Sequence, residues 1–173
     1  MPIIKQMENL FFDAMIKGYA GDGVYKKQAQ GFKQFVYQRP EWDLCLFDSY
    51  YSHPESKKGF GHTVITLNTD RSIPFWFMQY EGFYPKEVIL FLKEALLVTY
   101  KNKKFVGGRG RDYLSCSLQY VNTPKSVEYF LPSSFARFRG VEVIKKTDGR
   151  EVVEILGYHR YRGGLLIDQK EAL

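Results

Sequence analysis

Arginines recur two residues apart at three places in the second half of the chain. The pairs are Arg109/Arg111, Arg137/Arg139 and Arg160/Arg162. Residues two apart in a β-strand point to the same face, so each pair on a strand would present two guanidinium groups side by side. A planar guanidinium binds a carboxylate or a phosphate through two parallel hydrogen bonds. The spacing therefore predicts an anion-binding surface.

The last two pairs flank one predicted β-hairpin, Phe138–Gly164, whose tight turn is expected at Asp148-Gly149. A two-residue turn there would place Arg137 opposite Arg160 and Arg139 opposite Tyr158, and a bulge at Gly140 or Gly157 would change this register. Like charges that face each other destabilise a sheet by about 0.2–1 kcal/mol, so the cluster needs compensation. The alternatives are a bound anion, pairing within the protein or exposure to solvent. The predicted anion-site residues are Arg137, Arg139, Arg160, Arg162, Tyr158 and Arg111, and the acidic candidates for internal pairing are Glu81, Glu128 and Asp112.

The catalytic inventory of the sequence is small. Its three histidines are His53, His62 and His159, and none is spaced to form a metal-binding pair. The sequence also has neither a nucleophile elbow nor a phosphate loop. If the protein is an enzyme, it acts on an acidic metabolite with His159 and Glu142 as acid and base beside the arginines. The sequence predicts no metal and no cofactor.

The net charge of +6 is carried entirely by residues 101–173, because residues 1–100 hold equal numbers of basic and acidic side chains. This asymmetry is typical of an ordinary solvated basic surface, and also of a protein whose partner is an anionic small molecule or a polyanion. Nucleic acid is one candidate, since tyrosine and phenylalanine interleaved with arginine can stack bases, although no helix-turn-helix or zinc motif is present.

The apolar runs are too short for a signal peptide or a membrane span, and Cys45 and Cys116 are interpreted as small buried residues. We expect a soluble, cytoplasmic protein without a membrane partner.

The elements that must position these residues repeat along the chain. Phe60–Gly82 resembles Phe138–Gly164 in its opening Phe and Gly, its Val-Ile pair, its Thr-Asp turn and its closing Tyr. An amphipathic helix precedes each hairpin, at Glu8–Tyr19 and Pro85–Tyr100. The alternation in Tyr113–Tyr120 predicts a half-buried strand with Cys116 inward, and Asn122–Phe135 reads as mostly loop.

We predict an α+β fold with helices on one face of an antiparallel sheet. It is built from two duplicated halves, roughly residues 8–84 and 85–166, of a single domain spanning residues 1–173. Aromatic residues occupy both faces of the strand around Trp76. Such a strand is either buried on both sides in the core or has one face that lines a pocket or forms a homodimer interface, and the second alternative arises because the helices suffice to cover one face only.

Two further patterns allow a comparison with a known family. One is Phe138, Gly140, Glu142 and Ile144 followed by Tyr161 shortly before Gly163-Gly164-Leu165-Leu166, and the other is Trp76, Tyr80 and Gly82. In these positions the chain resembles an uncharacterised bacterial α+β family, a domain of unknown function sometimes attached to helix-turn-helix regulators. The likeness covers nearly the whole chain, with departures at Gly107-Gly108 and in a longer Asn122–Phe135 loop. It implies a fold and supplies no catalytic residues.

The favoured function is therefore a non-catalytic binding or regulatory module with an arginine-lined anion site. The alternatives are the small enzyme described above and a nucleic-acid-binding accessory domain.

Overall fold

A computed structural model describes residues 3–125, 133–148 and 151–167 of the chain. These residues form two α-helices, α1 (Ile3–Lys17) and α2 (Ile89–Lys101), and nine β-strands. The strands are β1 (Lys26–Lys27), β2 (Lys33–Arg39), β3 (Leu44–Ser52), β4 (Lys58–Leu67), β5 (Pro74–Phe83), β6 (Tyr113–Ser115), β7 (Leu118–Lys125), β8 (Arg137–Thr147) and β9 (Val152–Leu165). They pair antiparallel in one sheet of order β1-β2-β3-β4-β5-β9-β8-β7-β6. The predicted combination of helices with an antiparallel sheet is confirmed.

The sheet consists of two meanders that meet at one seam. Strands β1 to β5 form the first and β6 to β9 the second, and the two are joined where β5 pairs with β9. Tyr80 lies opposite Tyr161 in the middle of this seam. Strand order therefore runs outward from the seam in reverse sequence order on both sides.

One hydrophobic core fills the space between the helices and a single face of the sheet. α1 presents Phe11 and Met15 to it, and α2 presents Leu92 and Leu96, each pair at the four-residue spacing of one helix face. Alternate residues of the central strands meet the helices, and we call their side of the sheet the inner face. It includes Ile65, Trp76, Met78, Phe138 and Ile144. We call the opposite side, which carries Glu81, Arg139 and Arg162, the outer face.

Both helices depart slightly from the predicted bounds. α1 begins at Ile3 instead of Glu8, because Ile3 and Ile4 also pack against the core. Pro85 precedes a single 3-10 turn, Lys86–Val88, and the α-helix proper starts at Ile89. Neither helix combines the length and the apolar character needed to cross a membrane, within the residues described.

The segment predicted as one strand at Tyr113–Tyr120 is a tight hairpin. β6 ends at Ser115 and β7 starts at Leu118, and Cys116 lies in the turn between them with a left-handed φ of 53°. Cys116 is therefore exposed, whereas Cys45 is buried as expected. The inward placement of Cys116 was wrong because alternation alone does not reveal a turn in the middle of a short run.

The predicted pairing of the arginine-bearing hairpin was also wrong. Arg139 lies opposite Arg162, and Arg137 lies opposite Gly164. Two irregularities, after Ile144 and after Lys146, add unpaired residues to β9. The turn itself is longer than two residues, because Thr147 pairs with Val152; Gly149 lies outside the described residues.

Two glycines on the inner face make room for two tyrosines on neighbouring strands. Gly61 lies opposite Tyr80, and Gly140 lies opposite Tyr161. A Cβ atom at either glycine would collide with the facing ring, so each tyrosine lies across its glycine. The Tyr80 hydroxyl donates to Asp48 Oδ1 at 3.1 Å, and the Tyr161 hydroxyl donates to Asn122 Oδ1 at 2.6 Å.

Candidate functional site

Four of the predicted arginines share the outer face. Arg137 and Arg139 alternate with buried residues along β8, and Arg160 and Arg162 do the same along β9. Tyr158 lies on this face too, two residues before Arg160. The structure thus brings together five of the six predicted anion-site residues, in a register different from the expected one.

A row of basic side chains crosses three strands at the level of Arg139. Its neighbour on β9 is Arg162 and its neighbour on β7 is Lys125. Adjacent strands are about 4.8 Å apart, so the three cationic groups start side by side. We call Lys125, Arg139 and Arg162 the basic row. Gln79 extends it onto β5, where Arg162 Nε donates to Gln79 Oε1 at 3.2 Å.

The basic row lies in an open depression of about 1210 Å³ on the outer face. Of the described residues that line it, four are Lys or Arg, and Glu81 is the one carboxylate. Glu81, one of the three acidic candidates for pairing with the arginines, lies directly opposite Arg160. Two aromatic side chains flank this pair: Phe60 is 57% exposed and Tyr158 is 38% exposed.

The other two acidic candidates for pairing with the arginines are Asp112 and Glu128. Asp112 accepts a hydrogen bond from the Asn122 backbone N–H at 2.9 Å, before the start of β6. Glu128 lies outside the described residues.

The third arginine pair does not join this surface. Arg109 and Arg111 lie in the segment between α2 and β6, where the strand rule of a shared face does not apply. Arg109 is buried on the inner side, whereas Arg111 is exposed and its backbone N–H donates to Thr99 Oγ1 of α2 at 2.8 Å. Arg111 is therefore separated from the other predicted site residues.

Arg109 forms a buried ion pair with Glu142 on the inner face. Arg109 Nε and Nη2 both donate to Glu142 Oε1, at 2.9 and 2.5 Å, and the Tyr120 hydroxyl donates to Oε2. Glu142 has no exposed surface, and Arg109 is 5% exposed. Burial raises the pKa of Glu142, but the charge of Arg109 and the hydrogen bonds that Arg109 donates outweigh this effect and hold the pKa at about 2. Glu142 is thus a fully engaged carboxylate.

His159 is the neighbour of this ion pair on β9. Its Nδ1 lies 3.4 Å from Glu142 Oε1, and its ring is held between those of Tyr80 and Tyr84. Burial lowers the pKa of His159, and Glu142 opposes that shift only in part, so the imidazole is neutral near pH 7. His159 and Glu142 do lie together, but β8 and β9 place both on the face opposite the arginines. The expected single site of histidine, glutamate and arginines is not formed.

Asp48, on β3, is a second buried carboxylate on the inner face. It is 3% exposed and accepts hydrogen bonds from Tyr25 at 2.6 Å, Thr63 at 2.8 Å and Tyr80 at 3.1 Å. Burial raises its pKa, and the three hydroxyl donors counteract that rise only in part. The signal in the sequence was a lone carboxylate two residues after Leu46 in an apolar strand, which predicts a buried acid with polar partners.

These inner residues border a cavity of about 630 Å³ between the sheet and the helices. Asp48, Arg109 and His159 line it, together with the rings of Tyr80 and Tyr84. In the described ranges there is no group of three or more His, Cys, Asp or Glu side chains that could hold a metal ion. The structure thus offers two candidate sites, an open basic surface and an inner aromatic cavity.

Comparison of the chain with protein-family models, curated proteins and solved structures finds no significant match. The resemblance to a bacterial family of unknown function therefore stays a prediction from sequence.

Proposed function

We propose that the protein is a non-catalytic binding module that holds a multiply charged anion on the outer face of its sheet. The observation that carries this proposal is the basic row, which places Lys125, Arg139 and Arg162 on three consecutive strands. Side chains that start about 4.8 Å apart can bind different oxygens of one polyanion. Arg160 lies one step further along the same face, opposite Glu81.

The charge of the depression supports a binding role. Four of its described lining residues are Lys or Arg, and Glu81 is the one described carboxylate, so the surface carries a net positive charge. A phosphate-like group can bind to such a surface through charge-assisted hydrogen bonds.

The test uses inorganic tripolyphosphate and isothermal titration calorimetry at low salt. The double variant Arg139→Ala/Arg162→Ala should bind it at least about tenfold more weakly, since one charge-assisted hydrogen bond contributes about 1.5–3 kcal/mol. The matched control is Arg71→Ala/Arg111→Ala, which removes the same charge from exposed arginines outside the depression. If wild-type protein does not bind tripolyphosphate, or if both double variants lose affinity equally, the proposal is wrong.

A second candidate is a single-stranded nucleic acid, because two exposed rings accompany the arginines. Phe60 and Tyr158 stand beside Arg160 and Glu81 on an open sheet, an arrangement on which bases can stack. A labelled oligodeoxythymidine should then bind with strong salt dependence. Phe60→Ala and Tyr158→Ala should weaken it by more than about fivefold, for ~1–3 kcal/mol of stacking, while leaving tripolyphosphate unaffected. Unchanged oligonucleotide affinity in both variants excludes this candidate.

The geometry argues against the small enzyme with one combined site. The sheet separates Glu142 and His159 from the arginines, and both oxygens of Glu142 already accept hydrogen bonds. A carboxylate held near pKa 2 by Arg109 is a poor general base.

We also infer that the two halves of the chain repeat one structural unit. Support comes from the mirrored strand order around the β5–β9 seam and from the matching pairs Gly61–Tyr80 and Gly140–Tyr161. In each pair the tyrosine hydroxyl reaches a polar side chain on the next strand but one, Asp48 or Asn122. This match pairs Tyr80 with Tyr161, whereas the sequence comparison pairs Tyr80 with Tyr158.

Both cysteines are unpaired, which supports the expected cytoplasmic, reducing location. The incompletely covered outer face leaves the homodimer as an alternative that sedimentation would test.

A further inference from the structure

The inner cavity has the properties of a second binding site, independent of the basic row. Its volume of about 630 Å³ lies within the range that small-molecule sites occupy. Rings supply much of its wall, among them Tyr19, Tyr25, Tyr80 and Tyr84. We propose that this cavity binds a small aromatic carboxylate that also carries a hydrogen-bonding group at its opposite end.

The charges around the cavity favour an anion. Its lining includes Lys33, Lys57, Lys86 and Lys93, besides Arg109, whose charge Glu142 matches. Asp48 is the carboxylate among the described lining residues, and hydroxyl groups occupy both of its oxygens. A carboxylate of the ligand would therefore meet lysines, while its ring system packs among the tyrosines.

One of the residues that line the cavity, Tyr84, has an unsatisfied hydroxyl. Tyr84 is 7% exposed, and its Oη has no hydrogen-bond partner among the described residues. The ring of His159 packs against that of Tyr84, with centroids 4.4 Å apart. A buried hydroxyl without a partner is unfavourable, so a ligand oxygen that reaches Tyr84 would be recognised specifically.

The ligand class follows from the lysines and from the Tyr84 hydroxyl. A carboxylate faces the lysines, a fused or extended aromatic body fills the space between, and a hydroxyl or carbonyl reaches Tyr84. The ligand is bound without a catalytic step, because Asp48 and Glu142 both already accept hydrogen bonds from side chains of the protein.

The test compares three naphthalene probes by isothermal titration calorimetry. The first, 6-hydroxy-2-naphthoate, carries both groups; 2-naphthoate lacks the hydroxyl, and 2-naphthalenemethanol lacks the charge and the hydroxyl on the far ring. We expect 6-hydroxy-2-naphthoate to bind most tightly and the alcohol most weakly. If neither acid binds at millimolar concentration, or if the alcohol binds as well as the acids, the proposal is overturned.

Two variants locate the binding. Tyr84→Phe removes a hydroxyl that bonds nothing described, so it should leave the melting temperature unchanged. It should weaken 6-hydroxy-2-naphthoate about tenfold and leave 2-naphthoate unaffected, because only the first probe reaches the hydroxyl. Lys86→Glu on the exposed rim should weaken both acids. Equal affinities of wild type and Tyr84→Phe for the hydroxylated probe contradict the assignment.

The outer-face variant Arg139→Ala/Arg162→Ala separates this proposal from the previous one. Those residues do not line the inner cavity, so the variant should bind naphthoates normally. If it loses naphthoate binding, the acids bind on the basic row and the inner cavity is not their site.

Discussion

Replacing Glu142 by glutamine tests the buried ion pair most directly. The substitution keeps the shape of the side chain but removes the charge that Arg109 faces at 2.5 Å. Arg109 then stays buried without a counter-charge, and breaking a buried pair in this way costs about 3–5 kcal/mol. We expect the free energy of unfolding at pH 7 to fall by an amount in this range.

The pH dependence of stability gives an independent magnitude. Burial raises the pKa of Glu142, but Arg109 and the hydrogen bonds outweigh it and lower the pKa from 4.5 to about 2. At ~1.4 kcal/mol per pH unit, this lowering corresponds to roughly 3 kcal/mol. Because the folded-state pKa is the lower one, the unfolded chain takes up the proton first. The stabilisation is therefore complete above about pH 4.5 and is lost as the pH falls towards 2.

Urea unfolding followed by tryptophan fluorescence measures both effects, since Trp76 is fully buried. Wild type should lose stability steeply between pH 4.5 and 2, and Glu142→Gln should lack this component. Burial also lowers the pKa of His159. Protonation of His159 therefore causes a further loss of stability, which begins at a higher pH and occurs in wild type and in Glu142→Gln alike. Glu154→Gln, at an exposed position of the same hairpin, is the matched control and should resemble wild type. A difference between wild type and Glu142→Gln that is equal at pH 7 and pH 3 would refute the reasoning.

Three further predictions concern the inner face and the cysteines. Tyr161→Phe should lower the free energy of unfolding by about 1–2 kcal/mol, because the hydrogen bond to buried Asn122 is lost. Gly140→Ala should cost about 1–3 kcal/mol or more in the same urea assay, because its Cβ would meet the Tyr161 ring. A thiol reagent should modify Cys116 rapidly in the native protein and Cys45 only after denaturation, as absorbance of the released chromophore reports.

Each of these three predictions can be contradicted by a simple measurement. Tyr158→Phe is the control for the tyrosine series and should be nearly neutral, because Tyr158 is 38% exposed on the outer face. If it destabilises as much as Tyr161→Phe, the buried hydrogen bond is not responsible. A Gly140→Ala protein as stable as wild type would contradict the close approach of the ring. Two thiols that react equally fast in the native protein would contradict the burial of Cys45.

The shared face of the arginines could be predicted although their partners could not. The turn between β8 and β9 is two residues longer than expected, and two irregularities add two more residues to β9. Each change shifts the register by two residues, and a shift by an even number leaves every side chain on the same face of the sheet. The residue opposite Arg137, for example, changes from the expected Arg160 to Gly164. Alternation predicts a face from local sequence, but register depends on bulges that local sequence does not specify.

The inner cavity lay beyond sequence reasoning for a different reason. Asp48, Arg109 and Tyr84 come from three distant segments, and only tertiary packing brings them to one cavity. Arg109 was grouped with Arg111 because of its spacing, yet its burial follows from a partner on another strand, Glu142. Lone polar residues in apolar surroundings indicate that a partner exists without identifying it.

The seam between β5 and β9 has a consequence for how the chain folds. Within the first meander, neighbouring strands are joined by short connections, so their hydrogen bonds can form early and locally. The seam instead pairs strands from opposite halves, with α2 and three other strands between them in the chain. Its formation must overcome the entropy of closing a long loop, which makes the docking of the two meanders the expected slow step of folding. Until that step is complete, β5 and β9 are unpaired edges with apolar side chains, and the chain is then most prone to pair with another copy of itself.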